Sequence, residues 1–340
     1  MANEIKKIAI FGAYFNHNFG DDLQGFLIAN KISTLGYHPV LWRGPNYKIE
    51  NKKFEIADNL NSFLDSASFL IIGGGMLFCN SNYHELWNDL DLIIEGCEKN
   101  NIPMMAISVG SDGDFKNINN VSQRFLESRQ LKAISLRLKD DFDELKKLSL
   151  CNDIEFYPDI VLTSSKLIQR SKISNILICI SLNKIEWFFI SVFLFKLFPN
   201  LNFFTLSQFS EESSLSRLYV QIKNNHLKNN GVDDVLNILR KSDLIIGKGL
   251  HIGMSGLASG ANFISMYGTG KSISFLKSIG HDKYIIYPNK NPIKRIINWL
   301  KILKILKKPL MINNNLIDIQ SNAHNHYNFL KDRLDKYIRK

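Results

Sequence analysis

Short apolar runs alternate with amphipathic stretches along this chain, and the whole alternation occurs twice. In the first round, 7–12, 38–42, 68–72, 103–108 and 132–135 read as strands, with helical patterns over 21–35, 83–99 and 139–148. In the second, the strands are 176–182, 201–206, 243–247, 262–267 and 284–287. Helices fall over 186–198, 214–227, 232–241, 251–259 and 271–278. A strand that is apolar at every position must be buried on both faces. Alternation with helices supplies that cover only in a parallel sheet.

The expected architecture is therefore two Rossmann-like α/β domains whose sheets face a common cleft. Residues 1–165 form the first, 172–290 the second and 291–340 a C-terminal helical tail, with a polar linker near 163–174. At 340 residues the chain is long enough for two such cores. Ligands of open α/β sheets bind outside the strand carboxyl ends, so residues just past each strand are the candidates for function.

Four such places stand out. Asn18-Phe19-Gly20-Asp21 lies between the first strand and the first helix, where free N–H groups and the helix dipole favour an anion. The plainer reading is that Asp21 caps the helix and Gly20 makes the turn. Gly73-Gly74-Gly75 follows an apolar run; its missing Cβ atoms admit either a ligand or a second backbone element. Arg137, in Ser135-Leu136-Arg137, can fork onto a carboxylate or phosphate, or pair with Asp140 or Asp141. Asp159, after Tyr157-Pro158, reaches the cleft or fixes the interdomain turn.

The fourth is the most informative. Gly247-Lys248-Gly249-Leu250-His251 opens a helix of small residues, and Gly268-Thr269-Gly270-Lys271 follows the next strand. Positions 244–281 contain no Asp or Glu. Lysines and a histidine beside a helix N-terminus, with no neighbouring carboxylate in sequence, suit a multiply charged anion.

The net charge of +10 also favours anionic partners, although Lys and Asn richness is spread along the chain. No nucleic-acid motif is present, so nucleic acid is set aside. Cys79, Cys97, Cys151 and Cys179 make no CxxC pair, which argues against zinc or a disulfide framework and suits a reducing compartment. The start carries no long apolar leader, and the apolar run 187–198 is too short to span a bilayer and contains Lys196, so a cytoplasmic enzyme is expected.

In the tail, Lys294, Lys301, Lys304 and Lys308 share one helix face, with Trp299, Ile and Leu covering much of the rest. Such a helix either lies on an anionic membrane, at the inner face, or packs its apolar side on the domains with its lysines in water.

The order of these pieces resembles the polysaccharide pyruvyl transferases. Asn18-Phe19-Gly20-Asp21 looks like their N-x-G-D segment, Gly73-Gly74-Gly75 their glycine triplet, and Ser108-Val109-Gly110 their small-residue turn. Ser135-Leu136-Arg137 and Pro158-Asp159 are similar to their S-x-R and P-D elements. Leu250-His251 with Lys271 resembles their R-L-H and later lysine, with Gly249 at the arginine position and Lys248 beside it. The strand that starts at Ile176 ends in Asn183-Lys184, where relatives place an arginine.

The resemblance covers about 8–278 and implies a GT-B-like fold with no metal or other cofactor. It implies phosphoenolpyruvate as donor and a sugar or lipid-linked oligosaccharide as acceptor. His251 is then the general acid, and Arg137, Lys271 and Lys248 bind donor anions. Asn18 and Asp21 face the acceptor from the first domain, Asp21 as base, with Gly74 and Gly75 admitting substrate. The rivals are a GT-B glycosyltransferase using a nucleotide sugar, which the acid-free stretch disfavours, and a non-catalytic relative.

Overall fold

The computed structural model describes residues 5–14, 18–43, 54–80, 84–111, 118–148, 151–179, 200–205, 231–289, 291–306 and 314–338. The helices expected over 186–198 and 214–227, and the Asn183-Lys184 strand end, lie outside the described residues. The chain divides into two compact units. One is Met1–Val161 with Ile319–Lys340, and the other is Leu162–Asp318. The segment 291–340 is thus shared: its first helix belongs to the second unit and its last to the first.

The first unit is built on β1 (Lys7–Phe11), β2 (His38–Trp42), β3 (Glu55–Ala57), β4 (Ala67–Gly73), β5 (Met76–Phe78), β6 (Met104–Ser111), β7 (Leu131–Leu136) and β8 (Ile154–Phe156). Their order is β3-β2-β1-β4-β6-β7-β8, with β5 on β6, and every pairing is parallel.

Side chains alternate between two cores. Ala9 and Phe11 of β1 join Leu70 and Ile72 of β4 on one face. Ile8 and Ile10 join Phe69 and Ile71 on the other. The first core is closed by α2 (Leu60–Leu64), α3 (His84–Lys99), α4 (Asn120–Glu127) and α5 (Lys139–Leu148). The second is closed by α1 (Phe19–Thr34) and the last helix, Asn325–Ile338, whose Phe329, Leu330, Leu334 and Ile338 are buried there. This double cover explains why the strands read as unbroken apolar runs.

The second unit carries β9 (Asn175–Cys179), β10 (Asn202–Thr205), β11 (Leu244–Gly247), β12 (Asn262–Met266) and β13 (Ile285–Ile286), in the order β10-β9-β11-β12-β13, again parallel. Its helices are α6 (Val232–Lys241), α7 (Leu250–Ala258), α8 (Gly270–Ser278) and α9 (Pro292–Leu306). The helix α10 (Asn314–Ala323) runs across the division, and α11 is the final Asn325–Ile338. The stretch expected as a linker is fastened to the second unit. Arg170 donates to Asp243 at 2.7 Å, and Asp243 also accepts the N–H groups of Ser174 and Asn175 at 2.8 Å.

Both strand orders contain a switch point, where the direction in which successive strands are added across the sheet reverses and leaves a crevice at the strand carboxyl ends. In the first unit it falls between β1 and β4. In the second it falls between β9 and β11.

Candidate functional site

At the switch point of the first unit, β1 hands over to α1. The helix begins at Phe19, two residues earlier than expected, because Asn18 rather than Asp21 caps it. Asn18 Oδ1 accepts from Gly20 N–H at 3.1 Å, and its amide donates to Asp21 Oδ2 at 2.8 Å. Asp21 sits in the first helical turn, where the dipole favours its negative charge. Both residues singled out by sequence therefore help to build the helix start.

The glycine triplet sits opposite. Gly74 and Gly75 have φ of +72° and +77°, a region costly for any residue with a Cβ. A Cβ on Gly73 would meet Tyr14 Oη at 2.7 Å, and one on Gly74 would run into the Gln24 amide. Only Gly75 has room: the nearest atom is Asp21 Oδ1, at 3.9 Å from where its Cβ would lie. The triplet is thus a close packing of elements at Gly73 and Gly74, and an open backbone at Gly75 beside Asp21.

Gln24, buried on α1, ties the pieces together. Its Oε1 accepts from Gly75 N–H at 3.0 Å, and its Nε2 donates to Asp159 Oδ1 and Oδ2 at 3.1 and 3.3 Å. The amide orientation is forced, since the flipped form would set oxygen against carboxylate and N–H against N–H. Asp159 also accepts from Val161 N–H at 3.0 Å and from Arg137 Nη1 at 2.9 Å. The Arg137 and Asp159 side chains are 7% and 3% exposed. Asp141 holds Ser111, accepting from its N–H and its hydroxyl, both at 2.6 Å.

Behind Asp159 stands a second relay. His326 of α11 contacts Pro158 O through Nε2 at 3.0 Å and Ser135 Oγ through Nδ1 at 2.9 Å. Burial lowers its pKa to about 4. The ring is neutral at pH 7, and because Pro158 O can only accept, Nε2 carries the proton. Ser135 then donates to Nδ1 and accepts from Ser108 N–H at 3.2 Å, while Ser108 Oγ accepts from Ile160 N–H at 3.0 Å. Ser108 holds φ +55°, a strained conformation that lets its N–H and Oγ serve both partners.

Sequence reasoning missed Gln24, Tyr14 and His326. Tyr14 is fully buried, donates to Gly73 O at 3.0 Å, and its ring fills the space left by Gly12 and Gly25. Burial raises its phenol pKa, so it stays protonated. The one available signal was Gln24, a polar residue three positions past Asp21 inside an otherwise apolar helix stretch.

At the switch point of the second unit, β11 ends at Gly247 and α7 starts after Gly249, placing His251 in its first turn. The neighbouring β12 leads to α8, with Lys271 in its first turn. Neither helix has a side-chain cap, and neither first turn holds an acidic residue. The two starts are adjacent: Gly247 pairs with Ser265 across the sheet, and Ser272 Oγ donates to Lys248 O at 3.2 Å. Lys248 and Lys271 are exposed and His251 is half-buried. This edge thus collects two uncapped helix N-termini, two lysines and a histidine, an arrangement that attracts anions. Among the described residues, no group of three or more His, Cys, Asp or Glu is placed to hold a metal ion.

The parallel sheets and their switch points define a GT-B-like α/β protein, and solved structures of similar shape agree. One is UDP-GlcNAc 2-epimerase from Neisseria meningitidis bound to UDP-GlcNAc: TM-score 0.62, 9% identity, 98% of this chain and 100% of that one covered. Another is the glycotransferase of kitacinnamycin: TM-score 0.56, 11% identity, 98% and 99% covered. At such identities the likeness concerns the fold alone. No curated protein matches the sequence significantly. A family model described as polysaccharide pyruvyl transferase matches residues 18–269, about three quarters of the chain. The chain belongs to the polysaccharide pyruvyl transferase family.

Proposed function

We propose that this chain transfers pyruvate from phosphoenolpyruvate onto a sugar of a cell-surface polysaccharide or its lipid-linked precursor, forming a ketal. The observation that carries this reading is the strand-end edge of the second unit, where a segment with no Asp or Glu between 244 and 281 brings two helix N-termini without side-chain caps beside Lys248, His251 and Lys271. A donor bearing both a carboxylate and a phosphate needs fixed positive charge of this kind.

In the proposed reaction, His251 gives a proton to the methylene carbon of the donor, turning it into a methyl group. One sugar hydroxyl bonds to the adjacent carbon, phosphate leaves from that carbon, and a second hydroxyl bonds in its place. The two hydroxyl protons balance those taken up by the methyl group and the phosphate. Lys248 and Lys271 hold the donor anions. Asp21, beside the open backbone of Gly75, is the base proposed for the acceptor hydroxyl. Arg137 is proposed to add positive charge toward the donor while its pairing with Asp159 holds it in place. Asn18 serves this site by fixing Asp21, and Gly74 by accommodating Gln24.

Phosphate release from phosphoenolpyruvate in the presence of candidate glycans tests the reading. Release of nucleoside diphosphate from nucleotide sugars instead would establish glycosyl transfer. Neither release, across a panel of acceptors, would make the chain a non-catalytic relative.

A further inference from the structure

The helix α9 does not sort its apolar residues onto one side. Trp299 and Ile302 are fully buried in the core of the second unit, against Ile264, Met266 and Ile286. That is the packing face, and it accounts for the tryptophan. Ile293, Ile297 and Leu300 nonetheless face solvent, with 69%, 45% and 45% of their surfaces exposed. Spaced four and three residues apart, they form one stripe along the helix. Lys294, Lys301 and Lys304 are exposed around that stripe, and the helix contains no Asp or Glu. A helix serving only as a cover would show water its lysines and keep its isoleucines inside.

We propose that this outward face of α9 docks the protein on the surface of an anionic lipid bilayer. The apolar stripe enters the boundary between headgroups and acyl chains, and the lysines contact the anionic headgroups. Charge complementarity selects this occupant, since a helix face carrying Lys294, Lys301 and Lys304 and no Asp or Glu would repel the same face of a second copy. The geometry is that of a helix lying in the interface. No helix among the described residues is long and apolar enough to cross a membrane.

Flotation of the full chain with vesicles tests the proposal, and needs neither phosphoenolpyruvate nor a glycan, so its outcome is independent of the pyruvyl reading. At low salt the protein should float with vesicles of phosphatidylcholine and phosphatidylglycerol in equal parts, but not with phosphatidylcholine alone. High salt should release it. Each near-surface lysine multiplies partitioning by roughly five, so Lys301→Glu with Lys304→Glu should lower it by about 25-fold or more. Ile297→Gln with Leu300→Gln, which leaves every charge in place, should lower it by at least about tenfold. These side chains are exposed, so thermal stability should be unchanged. The proposal is overturned if the parent stays soluble at low salt, or if the glutamine variant floats as well as the parent. It is also overturned if the stripe proves to join two copies, with the glutamine variant shifting a dimer to monomer while neither form binds vesicles.

Discussion

Acid should weaken the first unit through a single buried imidazole. His326 lies in α11 with its ring between Ser135 Oγ and Pro158 O, and burial lowers its pKa from 6.5 to about 4. In the unfolded chain the same ring takes up its proton near 6.5. Between these two values the unfolded state binds more protons than the folded one, so stability is complete above pH 6.5 and falls as pH drops toward 4. The displacement corresponds to about 3 kcal/mol, because each unit of pKa difference is about 1.4 kcal/mol. The perturbation is His326→Gln, which keeps an N–H for Pro158 O and cannot titrate. Urea unfolding of parent and variant, compared at matched pH from above 6.5 down to about 4, cancels every other titrating group. The stability advantage of the parent should shrink by about 3 kcal/mol across that window. Two parallel curves would refute both the neutral assignment and the relay built on it.

Five further substitutions probe the candidate residues. His251→Ala should cut pyruvyl transfer by about 10²- to 10⁴-fold with the fold intact, read by phosphate release; near-normal turnover would remove it as general acid. Lys271→Ala should raise the phosphoenolpyruvate Kd by about tenfold in a direct titration. Arg137→Ala should cost about 3–5 kcal/mol of stability in urea unfolding, because it leaves the Asp159 carboxylate buried without its ion pair. Gly74→Ala should destabilise far more than Gly75→Ala by the same measure, since only the former drives a Cβ into Gln24.

What the sequence disclosed follows from how local each signal was. β1, β4, β6, β11 and β12 were readable because a strand buried on both faces must be apolar throughout. His251 and Lys271 were readable because their position depends on neighbouring residues: a strand end, a glycine and a helix start. Asn18 was found as a site candidate, and its two hydrogen bonds, which build the α1 cap, could not be read from the sequence. Gln24, Asp159 and Arg137 could not be joined from sequence, since Gln24 and Asp159 are 135 positions apart. Nor could His326 be told from His324, two residues away: His324 lies exposed in the turn before α11, and His326 lies buried on the helix. Pattern reports burial; it does not report which distant partner a buried polar atom will find.

The return of α11 to the first unit has a consequence for synthesis on the ribosome. Its Phe329, Leu330, Leu334 and Ile338 close the face formed by Ile8, Ile10, Phe69 and Ile71, and Lys6 Nζ reaches Ile338 O at 2.5 Å. Yet all of Leu162–Asp318 is made in between. At roughly 5–20 residues per second, those 157 residues take about 8–30 s to emerge. Throughout that interval the sheet made first carries an apolar face covered only in part, by α1, and Pro158-Asp159 lacks the His326 that fixes it. The first domain to begin is therefore the last to finish, and its nascent form is the stage most exposed to aggregation.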